Sequence, residues 1–252
     1  MKKFNITTLA ATLALALGAT TAQAAATSEV AYGSLAGSAI TFSELAVGPI
    51  TGVLTSGDVQ FGKLFDGQEL AITKVPVPGE VEQEWFDDLS FGGPAAGLSL
   101  LAGAAGANLG AYDYGDAHGT ALFGVGPQAS YADGLGAISA RFAAPVSALG
   151  FQLRDADGGA ITLRLYRLDG SLIQNVDLSG RTDSFVAFAR TGGAADIAGF
   201  SLTNRDSYYG VSIDNLVLSA AAPVPEPAAA LLLLPGLLTV GLVARRRSRN
   251  NH

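Results

Sequence analysis

Cysteine is absent from this chain. No disulfide can staple it, and thiol nucleophiles and thiolate metal sites are excluded. Histidine occurs only as His118 and His252, which excludes zinc sites built on several imidazoles. A Ser-His-Asp triad would have to use His118, and no G-x-S-x-G elbow accompanies it. Positive charge is also scarce. Lys2, Lys3, Arg245, Arg246, Arg247 and Arg249 take six of the fifteen basic residues, so residues 25–222 keep nine against 21 carboxylates and a net charge near −12. That balance disfavours nucleic acid and anionic lipid as partners, since both need a positive surface. Finally, no segment of residues 25–222 sustains a 3.6-residue apolar period, which argues against packed helices.

What is present begins at the two ends. Lys2 and Lys3 precede an apolar run over 9–17, and small residues then lead to Ala22-Gln23-Ala24. A charged start, a short apolar core and an A-x-A site predict a secretory signal peptide over 1–24, cleaved after Ala24. The Sec export machinery is the expected partner. At the other end, residues 228–244 carry no charge and hold nine Leu or Val, interrupted by Pro235-Gly236. A helix of that length, at about 1.5 Å per residue, approaches the roughly 30 Å apolar core of a bilayer. Arg245, Arg246 and Arg247 follow at once, and such a cluster stays cytoplasmic. The body is then outside and the tip 248–252 inside.

Val224, Pro225, Glu226 and Pro227 stand immediately before this span. The tripeptide, the apolar helix and the arginine cluster, in that order over 224–247, resemble the PEP-CTERM sorting signal. The resemblance covers about a tenth of the chain. It implies recognition near Pro225-Glu226-Pro227 by exosortase, a membrane-embedded cysteine protease, then removal of the helix and release to the cell surface or extracellular matrix. Residues 220–223 read as a linker between body and signal.

The body predicts an all-β fold. Glycine takes 29 of its 198 residues, about twice the usual share of ~7%. Ile161, Leu163 and Leu165 alternate with Thr162, Arg164 and Tyr166, and Asp169-Gly170 separates this strand from 172–178, a hairpin signal. Further strands are expected at 138–142, 149–153, 184–189, 197–203 and 209–218, with Pro145 in a connection. In the last strand the apolar phase slips at Asp214-Asn215, which predicts a bulge. Before residue 135 only 40–42, 59–65 and 70–75 read as strands; 76–84 reads as a loop, and 94–110 fits strand or loop. Strands at this spacing favour an antiparallel β-sandwich over 25–219. The order over 138–218, with Phe142-Ala143-Ala144-Pro145-Val146, Leu149-Gly150-Phe151, Tyr166-Arg167-Leu168-Asp169-Gly170 and Ile213-Asp214-Asn215-Leu216, resembles lectin-like jelly-roll domains. That likeness implies a jelly roll and supplies no sugar-binding motif.

Three stretches could carry chemistry. Asp155-Ala156-Asp157-Gly158 opens like a calcium loop, but Gly159, Ala160 and Tyr166 stand where later ligands belong. A hairpin turn is the plainer reading. Ligands from separate loops, with Asp58, Asp66, Asp206 and Asp214 beside Asp155 and Asp157, keep Ca²⁺ as the one candidate ion; no other cofactor is expected. His118 lies among Asp113, Tyr114 and Asp116, where a polar loop is the plainer reading. Glu80, Glu82, Glu84, Asp87 and Asp88 flank Trp85 and Phe86. Paired carboxylates with an aromatic platform are similar to glycoside hydrolases, yet Glu80, Glu82 and Glu84 also fit a solvated strand edge. Trp85 is the candidate for stacking on a sugar. The expectation is an exported surface or exopolysaccharide-matrix protein, structural or adhesive, with weak carbohydrate or Ca²⁺ binding and no enzymatic activity. The alternative is a secreted glycan-active hydrolase using 82–88.

Overall fold

Period-2 alternation is the local rule that builds this molecule. The computed structural model describes residues 26–117, 119–128 and 134–220. The first half forms β1 (Thr27–Glu29), β2 (Gly48–Ile50), β3 (Leu54–Ser56), β4 (Val59–Gly62), β5 (Leu64–Phe65), β6 (Glu69–Pro76), β7 (Gln83–Phe91), β8 (Leu100–Leu101), β9 (Leu109–Asp113) and β10 (Thr120–Gly124). The second half forms β11 (Ile138–Val146), β12 (Ala148–Asp157), β13 (Ala160–Tyr166), β14 (Leu172–Asp177), β15 (Thr182–Arg190), β16 (Ile197–Arg205) and β17 (Ser212–Ser219). The signal peptide with Ala22 and Ala24, the sorting tail with Val224 to Arg247, and His118 lie outside the described residues. Among the described residues no helix is long and apolar enough to cross a membrane.

Two large sheets carry the fold, in the orders β1-β15-β12-β17-β10-β9-β2 and β14-β13-β16-β11-β4-β3. Every ladder between these strands is antiparallel. Leu122, Leu149, Phe151, Leu153 and Ile213 of the first sheet share one core with Phe61, Phe142, Ile161, Leu163 and Phe200 of the second. The architecture is therefore an all-β antiparallel sandwich. On β13 the alternation is literal: Ile161, Leu163 and Leu165 are fully buried, while Thr162 and Arg164 are half-buried. The outer face of the second sheet is not bare. Phe65, Leu98, Tyr166 and Ala198 form a smaller core there, and hairpin β6–β7 docks beside it through β16.

The predicted bulge is present. Gly150 opposes Val217, but Gln152 opposes Asp214, so β17 carries one extra residue. Asn215 takes it up with a φ of 51°, a left-handed conformation that asparagine tolerates better than most residues. Its amide nitrogen donates to Gln152 and to Asp214.

Four local expectations change. Residues 40–42 are not a strand: Ile40 makes one bridge to Leu216, and Phe42, at φ 54°, turns its ring into the core. Pro145 lies inside β11, not in a connection. Pairing with β16 lapses between Arg141 and Val146, so no ladder bond needs its missing N–H. Residues 155–159 do not close a hairpin. β12 and β13 belong to different sheets, so the segment is a corner between them. Glu80 and Glu82 sit in the turn before β7, and only Glu84 is on a strand.

Candidate functional site: a tyrosine-lined cavity

The inter-sheet corner is held by a carboxylate from elsewhere. Asp206 is 1% exposed, and its two oxygens accept the N–H groups of Asp157 and Gly159, both at 2.7 Å. Burial pushes its carboxyl above the ordinary aspartate range, against these bonds. No added side chain fits at Gly159, because a Cβ there would run into the Asp206 backbone and side chain. Asp206→Ala is expected to cost about 2 kcal/mol, since two amides lose a charged acceptor; urea denaturation would read this, and an unchanged midpoint would refute the clamp.

Of the aspartates considered for an ion, Asp155, Asp157 and Asp206 meet at this corner as charge and hydrogen-bond neighbours. Among the described residues no three His, Asp or Glu side chains stand close enough to hold a metal. Asp214 is fully buried, and its oxygens accept from the backbone and side chain of Asn215. Asp155 and Asp157 lie at the corner, with Asp155 in the left-handed region at φ 60°.

The acidic stretch is largely tied down. Successive strand residues face opposite ways. Asp87 turns to Lys63 at 2.6 Å, both side chains 5% exposed. Asp88 turns to Arg205 and, at 4.0 Å, to Arg164. Glu84 accepts the N–H of Tyr208 at 2.9 Å. Phe86 is core, and half-buried Trp85 has the Lys74 ammonium 3.8 Å above its ring. The one face of Trp85 that is accounted for is thus already occupied by a cation.

A cavity of about 360 Å³ instead opens on the outer face of the seven-stranded sheet, lined by Tyr112, Tyr114, Phe123, Asp155, Tyr209 and Ser212. Cross-strand register builds it. Leu122 opposes Ile213 and Ala111, all in or beside the core. Its neighbour Phe123 must then face outward, opposite Gly110 and Ser212. Gly110 is required: any Cβ there would strike the Phe123 ring, which lies over it. Tyr112 stands one pair along, opposite Ala121. Its ring meets Tyr114 edge-on at 5.1 Å.

Tyr114 is the fixed wall. Its hydroxyl shares a hydrogen bond with Ser212 Oγ at 2.8 Å and reaches Asp155 Oδ2 at 3.4 Å. Burial pushes its phenol pKa up. The Arg154 guanidinium, 4% exposed, lies 4.5 Å from its ring centre and bonds Asp116 at 2.6 Å. Burial, with Asp183 and Asp157 nearby, raises the Asp155 carboxyl above its ordinary range, although Tyr114 and Arg154 pull the other way.

Tyr209 forms the opposite rim under backbone strain. Tyr208 and Tyr209 have φ of 63° and 85°, followed by Gly210 at 70°. Each left-handed tyrosine costs about 1–2 kcal/mol. Gly210 admits no Cβ, because the backbone of Gly134 lies against it. Tyr208 has structural anchors, its hydroxyl donating to Pro78 O at 2.7 Å and its N–H to Glu84. Tyr209 has none for its side chain among the described residues, and is 61% exposed. The sequence did carry a signal for this site, since four of the seven tyrosines fall in Tyr112-Asp113-Tyr114 and Tyr208-Tyr209. Neither protein-family models, nor curated proteins, nor solved structures match the chain.

Proposed function

We propose that this chain is an exported protein sorted to the cell surface or extracellular matrix by its C-terminal signal. In this reading the sandwich, jelly-roll-like in its second half, serves a structural or adhesive role among exopolysaccharide. The observation that carries it is the succession of parts in the tail sequence: Pro225-Glu226-Pro227, the uncharged stretch 228–244, then Arg245, Arg246 and Arg247. Each part has a separate physical task. The apolar stretch halts export by partitioning into lipid, and the arginines resist translocation. Prolines on both sides keep Glu226 out of regular structure, because proline fixes φ and lacks a donor. In this reading the tripeptide stands at the outer boundary, where exosortase can grip it. The acidic, cysteine-free body suits a solvated exterior, and the engagement of Asp87 and Asp88 in ion pairs weighs against a hydrolase on 82–88.

The test is mass spectrometry of surface material from a host that contains exosortase. Wild type should begin at Ala25 and end near Pro227. Alanine at 225, 226 and 227 should leave the chain membrane-bound and untrimmed, and serine at 245–247 should weaken its retention. Wild-type protein that keeps His252, or an alanine variant trimmed at the same site and rate, sinks the sorting reading and leaves a plain tail anchor.

A further inference from the structure

We infer that the tyrosine-lined cavity is a binding site for one uncharged pyranose ring of a polysaccharide, with Tyr112 and Tyr209 as stacking faces and Asp155 and Ser212 as hydroxyl partners. The inference rests on the reading of the body as a surface module among exopolysaccharide, and names the ligand and the place.

Four observations converge. First, a cavity of about 360 Å³ is at the small end of ligand pockets, which suits a sugar ring and not an extended peptide. Second, its lining has the two-sided chemistry that a pyranose presents. The C–H face of the ring is apolar and covers an aromatic face, while its hydroxyls need acceptors and donors. Tyr112 and Tyr209 are 41% and 61% exposed, and Asp155 and Ser212 line the same space.

Third, the local charges select against an anion. Asp155, Asp116 and Asp183 surround the one guanidinium of Arg154, which lies on Tyr114, so the carboxylates outnumber the cation and repel an anion. A neutral polyol meets no such barrier, and choline tests whether a cation takes its place.

Fourth, the chain holds Tyr209 in a left-handed backbone that glycine would occupy without strain. Tyr208 returns its strain through two hydrogen bonds. The Tyr209 carbonyl accepts the Gly134 N–H, but its side chain has no hydrogen bond among the described residues, and what its ring does is line the cavity. Strain of that kind collects at ligand clamps. Trp85, the sequence's candidate for stacking, is not among the lining residues.

The experiment is isothermal titration of the full-length chain, in a nonionic detergent without sugar headgroups. The neutral probes are cellotriose, maltotriose and mannotriose; the charged probes are glucuronic acid and choline. At least one neutral trisaccharide should bind saturably and more tightly than either charged probe. Tyr112→Ala, Tyr209→Gly and Asp155→Asn should each weaken it at least about tenfold, the loss typical of a residue central to an interface. Trp85→Ala should not, and neither should Phe185→Ala, which removes a half-exposed ring of β15 that is not among the lining residues. Tyr209→Gly also separates binding from folding, since glycine suits that φ and the melting temperature should hold or rise. The inference is overturned if no neutral probe saturates, if choline or glucuronic acid binds more tightly, or if Tyr209→Gly binds like wild type. The sorting reading falls on C-terminal masses instead, so the two fail separately.

Discussion

Asp87→Ala should lower the stability of the sandwich by about 3–5 kcal/mol, the range for breaking a buried ion pair by removing one partner. Lys63 and Asp87 meet at 2.6 Å with side chains 5% exposed. At an effective dielectric near 20, that separation is worth roughly 6 kcal/mol of attraction, set against the cost of drying both charges. The pair is also wired into the backbone. Lys63 Nζ donates to Val125 O at 2.5 Å, and Asp87 Oδ2 accepts from Ala137 N–H at 3.2 Å. The N–H of Asp87 donates to Leu135 O at 3.1 Å. One contact thereby joins the β4–β5 junction, hairpin β6–β7, and the segments flanking β10 and β11. Deleting the carboxylate leaves an ammonium with one carbonyl and an amide with no acceptor. In a domain of this size the melting temperature should fall by roughly 6–20 °C. Replacing both residues, as in Lys63→Met with Asp87→Leu, should recover most of the loss, because no charge is then stranded. The double-mutant cycle is the decisive measurement. A single variant that loses less than about 1 kcal/mol would show that water or another group takes over the lysine.

Legibility in the sequence followed how many faces of a strand are wet. β13 has one covered face and one half-open face, so Ile161, Leu163 and Leu165 announce it. β10 is buried throughout: Leu122 enters the core and Phe123 floors the cavity. Its sequence Thr120-Ala121-Leu122-Phe123-Gly124 therefore shows no alternation and carries no strand signal, although β10 lies inside its sheet. β2, β3, β5 and β8 are two or three residues long, too short for any period. β7 was hidden differently. Its Glu84 reads as part of a solvated edge, and Asp87 and Asp88 as free carboxylates of a hydrolase-like cluster, because their partners, Tyr208, Lys63, Arg164 and Arg205, are remote in sequence.

The site was half legible for the same reason. Asp155-Ala156-Asp157-Gly158 was visible as a turn, but Asp206, which fixes it, lies 49 residues from Asp157. The cavity depends on register between β9, β10 and β17, a property of pairing and not of any one segment. Only the doubled tyrosines pointed to it. By contrast the bulge at Asp214-Asn215 needs one strand alone, and its phase slip could be read directly.

The other large effect should come from the centre of the core. Phe200 is fully buried and stands between two rings. Its centroid lies 5.9 Å from Phe151, nearly parallel at 25°, and 6.1 Å from Phe142 at 60°. Phe142 and Phe200 belong to the six-stranded sheet and Phe151 to the seven-stranded one, so this stack is where the two sheets grip each other. Phe200→Ala removes the middle ring and leaves a void that flanking strands cannot close, because each is fixed by ladders on both sides. The expected loss is about 3–5 kcal/mol, transfer and cavity terms together. Phe200→Leu keeps most of the volume and should cost about 1–2 kcal/mol. The loss should appear as a lower urea midpoint with an unchanged slope, since the surface exposed on unfolding is nearly the same. Tyr112→Ala, on the opposite face of the seven-stranded sheet, should move the midpoint by under about 1 kcal/mol. If Phe200→Ala and Tyr112→Ala shift it equally, the stack is not the joint between the sheets, and the core must draw its strength from the aliphatic layers around Leu149 and Leu163.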